Sequence, residues 1–162
     1  MSERLEVKLG ILLRERGWTI AVAETTTGGV ISARIVSVPG SSAYYERGVI
    51  AYSALSKREM LGIDVQVMDT YGAVSAEAAR AMAKGARKVS GADLGLAETG
   101  IAGPILGRSP KPIGTAYIAL ASAEGVVCRD FRFDGDRDEI RNAIADAALQ
   151  MVIEAGKKAI DN

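Results

Sequence analysis

Four segments bring together side chains able to do chemistry. The first is Ala21-Val-Ala-Glu-Thr-Thr-Thr-Gly-Gly-Val30. Three adjacent hydroxyls, on Thr25, Thr26 and Thr27, follow an apolar run, and Gly28 and Gly29 let the backbone turn sharply. Free N–H groups at the start of a following helix can hold an anion or a developing oxyanion. The segment lacks the Gly-Lys-Ser/Thr of a Walker A loop and is not a GxGxxG fingerprint. By itself it reads equally well as a threonine-rich turn before a helix.

The second segment is Ala51-Tyr-Ser-Ala-Leu-Ser-Lys57. Lys57 falls near the first turn of a helix that Ser53 can cap, where the helix dipole disfavours a cation and lowers its pKa. An uncharged lysine could take the proton from a hydroxyl nucleophile. Taken alone, a solvated surface lysine is the commoner outcome. The third is Thr99-Gly-Ile-Ala-Gly-Pro104, leading into Lys111-Pro-Ile-Gly-Thr115. It is a glycine-rich connection at the end of a strand, the usual place for ligand contact in α/β sheets. The fourth is Gly135-Asp-Arg-Asp-Glu-Ile-Arg141. Arg137 and Arg141 are four apart and share a helix face, suited to a phosphate or carboxylate. The alternative is a helical first turn with pairs to Asp136, Asp138 and Glu139.

Composition narrows the chemistry. There is no histidine among the 162 residues, which removes Ser-His-Asp and Cys-His catalysis, histidine bases and histidine-containing metal sites. Cys128 is the single cysteine, so no intrachain disulfide and no CxxC zinc site can form. Hydroxyls, amines, carboxylates, guanidinium groups and backbone amides remain. Lys plus Arg and Asp plus Glu are both 20, a net charge of +0, which argues against a nonspecific grip on nucleic acid or anionic lipid. The opening Met-Ser-Glu-Arg-Leu-Glu has no apolar core of a secretory signal. No apolar run approaches the roughly 18–20 residues of a membrane span. The expectation is a soluble cytoplasmic protein.

The elements that must position these groups follow from apolar spacing. Leu5, Leu9, Leu12 and Leu13 share one face of a helix over Glu3–Arg16, with Gly17 past its end. Trp18–Glu24 reads as a buried strand and Val30–Val36 as a short helix. A turn at Pro39-Gly-Ser-Ser precedes a strand over Gly48–Tyr52 and a helix over Ala54–Leu61. Ser75 starts an alanine-rich helix to about Val89, ended by Gly91, and Asp93–Glu98 is a third strand. Gly100–Pro112 reads as a loop. Thr115–Ala123 and Val126–Phe133 form a hairpin turned at Glu124-Gly125. Ile140, Ile144, Ala147, Ala148, Met151, Val152 and Ala155 line a closing helix over Arg137–Lys158. The order α-β-α-β-α-α-β-β-β-α, without repeat or linker, predicts one domain over 1–162. It is a layered α/β/α domain whose mixed central sheet includes the antiparallel hairpin.

Taken in order, AETTTGG, SVPGSSAYYERGVIAYSALSK, LGI, YGAVSAEAA, TGIAGP, KPIGTAYIAL and FDGDRDEIR closely resemble the CinA C-terminal domain family, from about residue 4 to residue 156. The family includes nicotinamide mononucleotide amidohydrolases. The resemblance is to a stand-alone form without the extra N-terminal domain of full-length CinA proteins. It implies metal-independent hydrolysis of nicotinamide mononucleotide to nicotinic acid mononucleotide and ammonia, in pyridine nucleotide recycling, with no cofactor. It also implies a homo-oligomer, a dimer being favoured.

On the resemblance, Thr25 stands at the serine and Thr26 at the cysteine of the family's Ala-Glu-Ser-Cys-Thr-Gly-Gly motif, which holds its hydroxyl nucleophile. Glu24, Thr27, Gly28 and Gly29 match. Tyr52 and Lys57 match Tyr-Ser-x-x-x-Lys, whose lysine activates the nucleophile. Thr99, Gly100 and Gly103 match the glycine-rich loop, and Arg137 and Arg141 match a Gly-Asp-Arg-x-x-x-Arg near the substrate phosphate. The implied catalytic set is Thr25, Lys57 and Tyr52. The implied substrate-binding set is Glu24, Thr26, Thr27, Gly28, Gly29, Thr99, Gly100, Gly103, Arg137 and Arg141.

Three departures cluster in the pocket that the resemblance implies. Threonine replaces serine at position 25, and its methyl stiffens χ1 and crowds the attack path. Ile105-Leu-Gly-Arg-Ser-Pro is bulkier than a glycine-rich continuation. Glu98 precedes Thr99 where a small or apolar residue is expected, and a carboxylate there would hold Lys57 charged. Two alternatives therefore stand beside the amidohydrolase: a catalytically impaired member that binds a nucleotide or phosphate ligand, and a hydrolase of a different amide or ester.

Overall fold

The computed structural model describes residues 3–161. In chain order the helices are α1 Leu5–Arg16, α2 Val30–Val36, α3 Ala54–Leu61, α4 Val65–Tyr71, α5 Ala76–Ser90 and α6 Arg137–Asp161. The strands are β1 Ile20–Glu24, β2 Tyr45–Ile50, β3 Leu94–Gly100, β4 Thr115–Ser122 and β5 Gly125–Arg132. They form one sheet in the order β2-β1-β3-β4-β5. β1 pairs in parallel with β2 and β3, while β3–β4 and β4–β5 are antiparallel. The sheet is mixed, as the hairpin requires.

The strands alternate in size as well as in direction. Ile20, Val22, Leu94, Leu96, Ile118 and Leu120 face α1, α2 and α6 in one buried cluster. Ala21, Ala23, Ala97, Ala119 and Ala121 face α3, α4 and α5 in the other. Successive strand residues point to opposite faces, so this large–small alternation builds two different layers on one sheet. The small face lets α5 come close. A Cβ at Gly95 would lie 2.1 Å from the Ala83 carbonyl oxygen, and α5 answers with Ala79, Ala83 and Ala86.

Helix ends follow local chemistry. Ser53, Asp64 and Ser75 cap α3, α4 and α5 by accepting from Ser56 N, Gln66 N and Ala78 N. Gly17, Gly62 and Gly91 end α1, α3 and α5 in the left-handed region. Arg34 of α2 joins Glu6 of α1 and Asp146 of α6 at 2.9 and 2.6 Å, tying three helices on one face.

Four local readings change. β1 begins at Ile20, because Trp18 and Thr19 complete the turn after Gly17. β2 spans Tyr45–Ile50 rather than Gly48–Tyr52; it pairs with Ile20–Glu24 apart from a bulge at Glu46, and as an edge strand it buries only Val49. β3 continues through Thr99 and Gly100, which pair with Tyr117 and Ala116, so the loop starts at Ile101. Helix α4 was not expected; seven residues with a single buried side chain, Met68, give little periodicity. The 1–162 span expected for one domain runs past the described residues at both ends.

Candidate active site

β1 and β3 are parallel neighbours, and their carboxyl ends carry the threonine loop and the glycine-rich loop side by side. Strand alternation sends Glu24 and Glu98 to the α2 and α6 face, and both are fully buried.

The Glu24 carboxylate turns back into its own loop. Its Oε1 accepts from Thr27 Oγ1 at 2.6 Å, Gly29 N at 3.2 Å and Ile31 N at 2.9 Å, and its Oε2 accepts from Ser32 N at 3.0 Å. It therefore caps α2 from outside the helix, meeting both the free amides and the positive end of the dipole. Gly28 and Gly29, at φ 58° and 108°, make the reversal that allows this. Glu24 serves the loop, and its oxygens are occupied.

The three threonines point in three directions. Thr26 Oγ1 donates to Gly100 O at 3.0 Å, stitching the two loops together. Thr27 is fully buried between the two glutamates. Thr25 alone stays half-buried; its Oγ1 donates to Ala51 O at 3.2 Å and lies 3.9 Å from Met82 Sδ. Of the three hydroxyls, Thr25 is the one a ligand could reach.

Lys57 is 2% exposed, so it is no surface lysine. Its Nζ donates to Tyr52 O at 3.3 Å. Burial is the largest influence and pushes its pKa down; an ionised Glu98 would act the other way. The dipole of α3 is not needed for the effect. Thr25 and Lys57 are thus held by consecutive carbonyls, Ala51 and Tyr52. The Tyr52 ring itself is 65% exposed, and its carbonyl is what meets the lysine.

Glu98 lies beneath the threonine loop. Its Oε1 accepts from Thr25 N at 2.6 Å, Thr27 N at 3.0 Å and Thr27 Oγ1 at 2.8 Å; its Oε2 has no partner among the described residues. Burial pushes this carboxyl up. Five amides of the loop and the first turn of α2 are thereby taken by carboxylates: residues 25 and 27 by Glu98, residues 29, 31 and 32 by Glu24. Thr26 N and Gly28 N keep no acceptor among the described residues and are the donors left for a ligand.

Both arginines reach the loops. Arg141 donates from Nε to Thr26 O at 3.1 Å, from Nη2 to Thr27 O at 2.8 Å and from Nη1 to Asp138 at 3.2 Å, so its fork clamps the threonine loop. Arg137 Nη1 donates to Gly103 O at 2.8 Å. Arg137 also lines a cleft of about 380 Å³ between the glycine-rich loop and the start of α6, together with Pro104, Ile113, Asp136 and Asp138. Thr99 is spent on Ala73 O at 2.7 Å. Gly100 offers its carbonyl to Thr26, and its missing Cβ would lie 2.9 Å from Thr115 O. Gly103 has φ 68° and precedes a cis Pro104.

Two contributors are not apparent from the spacing of motifs. Lys111 donates to Val74 O and lies over the Tyr117 ring at 5.1 Å, bracing the far side of the glycine-rich loop. Glu98 stands out in the sequence as a carboxylate in an apolar strand, but its bonds to Thr25 and Thr27 do not. Among the described residues, no group of three or more acidic or cysteine side chains is placed to hold a metal, and no helix is long and apolar enough to cross a membrane.

The family model for the CinA C-terminal domain matches residues 2–155. The chain belongs to this family. A CinA-like protein of Geotalea uraniireducens is 48% identical over 140 residues, 86% of this chain and 33% of that protein. A putative competence-damage inducible protein of Desulforudis audaxviator is 46% identical over 147 residues, 91% of this chain and 36% of that one. The chain spans about a third of the length of these curated relatives. Among solved structures, a CinA superfamily protein from Klebsiella pneumoniae superposes with TM-score 0.92 at 28% identity, covering 95% of this chain and 96% of that one. A competence/damage inducible protein from Agrobacterium tumefaciens gives 0.86 at 36% identity, covering 95% and 98%. The CinA fold is therefore present through all its layers.

Proposed function

We propose that this CinA-family chain is an amidohydrolase that converts nicotinamide mononucleotide to nicotinic acid mononucleotide and ammonia without a metal. The observation that carries the reading is the anchoring of Thr25 Oγ1 and Lys57 Nζ on consecutive carbonyls, one hydroxyl accessible and one amine buried. In this reading the Thr25 hydroxyl swings off Ala51 O and attacks the amide carbon while Lys57, uncharged, takes its proton. Thr26 N and Gly28 N receive the oxyanion. The C–N bond breaks, Lys57 returns the proton to the departing ammonia, and Thr25 is left as an ester. Water, deprotonated by Lys57, attacks the ester carbon; the bond to Thr25 Oγ1 breaks, Lys57 returns the proton to that oxygen, and the acid is freed. The substrate phosphate lies toward Arg137, whose guanidinium keeps nitrogens free of the loop. The working form in this reading is a cytoplasmic homodimer with a small nucleotide as substrate and no nucleic acid.

A second reading, a nucleotide binder without turnover, is favoured by one feature. The Thr25 hydroxyl rests on Ala51 O rather than on the lysine, and a γ-methyl restricts its rotation. Incubation with nicotinamide mononucleotide and EDTA separates the two. The amidohydrolase produces ammonia and nicotinic acid mononucleotide in equal amounts. The binder gives a ligand-dependent rise in melting temperature and no ammonia.

A further inference from the structure

Thr27 carries one hydroxyl proton, yet its oxygen lies 2.6 Å from Glu24 Oε1 and 2.8 Å from Glu98 Oε1. One proton cannot bond both oxygens at once. Were both carboxyls ionised, one of these contacts would set an unshared lone pair against a buried anion. Glu24 holds the shorter contact and three amides at the start of α2, where a carboxylate is favoured. Among the described residues Glu98 has no helix terminus, no ion pair and no partner for Oε2, and it is fully buried. An ionised carboxylate left that way is costly; a neutral acid, whose carbonyl Oε1 accepts the Thr25 and Thr27 amides, costs less, because its Oε2 is then an unpaired hydroxyl rather than part of an unpaired charge. The charged groups around it are Glu24 from β1, Lys57 from α3 and Arg141 across the loop from α6; Ile118 of β4 stands opposite it in the sheet.

We propose that Glu98 is a positioning residue of this site that works as a neutral carboxylic acid, drawing the Thr25 and Thr27 amides toward the sheet and thereby aiming the Thr25 side chain and the Thr26 and Gly28 amides outward. The catalytic consequence rests on Thr25 and Lys57 being the reacting pair; the structural part stands without it. A neutral Glu98 also removes the objection raised by its position in the sequence. It places no anion beneath the site to keep Lys57 charged, in line with a lysine pKa pushed down by burial.

Three measurements on the intact protein test this, with Glu98→Gln as the neutral mimic and Glu98→Val as the variant lacking the acceptor. Infrared difference spectra at pH 7 should show a protonated-carboxyl stretch in the native protein that Glu98→Gln lacks. Hydrogen exchange should show the Thr25 and Thr27 amides protected in the native protein and Glu98→Gln, and faster by about tenfold or more in Glu98→Val. Ammonia release should persist within about threefold in Glu98→Gln and fall about tenfold or more in Glu98→Val, chiefly in kcat. Carboxylate bands alone at this residue, or unchanged amide protection in Glu98→Val, overturn the proposal. If the native protein releases no ammonia, the amidohydrolase reading fails while spectra and exchange still decide the role of Glu98.

Discussion

Glu24 and Glu98, on adjacent parallel strands, share the Thr27 hydroxyl at 2.6 and 2.8 Å. Between them they take five backbone amides of the segment 25–32. The threonine loop is held from inside by two carboxyls and from outside by the Arg141 fork on Thr26 O and Thr27 O.

Thr27 should therefore be structural. Thr27→Val removes the hydroxyl bridging two buried acids and should cost about 1–3 kcal/mol in denaturant unfolding, since Glu24 loses its shortest bond. Thr27→Ser restores the donor and should recover most of that loss.

Lys57 should show its buried state in the pH dependence of stability. Its folded pKa is lowered, so between that value and the unfolded value of about 10.4 the unfolded chain binds the extra proton. Stability of the native protein relative to Lys57→Met should then rise with pH across that window and level off above it. Urea unfolding of both proteins at several pH values checks this; a gap that does not change with pH would mean a lysine still charged in the fold.

The two arginines should separate kinetically. Arg141→Lys cannot reproduce a fork on two carbonyls, so loop geometry and kcat should both suffer, with a lower melting temperature. Arg137→Ala should mainly raise KM for the nucleotide and change little for a dephosphorylated analogue. Steady-state kinetics with both substrates distinguishes these roles.

Much of this was legible in the sequence. The large–small alternation of Ile20-Ala-Val-Ala, Leu94-Gly-Leu-Ala and Ile118-Ala-Leu-Ala marks buried strands, and the serine and glycine signals fix most helix ends. What spacing does not show is where a polar side chain turns. Glu24 could face a ligand or its own helix, and only the fold sends it to the α2 amides. Lys57 looks solvated because its neighbours Ser56 and Arg58 are polar, yet it falls on the buried face of α3, the face it shares with Leu61. Short α4 escaped, and the edge strand β2 is read as starting at Gly48 rather than Tyr45, because each buries few side chains.

Gly95 tests the close-packed face. Gly95→Ala places a Cβ 2.1 Å from Ala83 O, and α5 must move to admit it. The expected loss is about 1–3 kcal/mol by denaturant unfolding. Gly107→Ala, with open space around its Cβ, should be close to neutral.

The central claim is that Thr25 and Lys57 are the reacting pair, and a comparison of kcat/KM for nicotinamide mononucleotide tests it directly. Native protein, Thr25→Ser, Thr25→Ala and Lys57→Ala are assayed for ammonia with EDTA present. The account predicts turnover by the native protein, equal or faster turnover by Thr25→Ser, where the γ-methyl is gone, and none above background in either alanine variant. Turnover that survives in Thr25→Ala, or in Lys57→Ala, would contradict it.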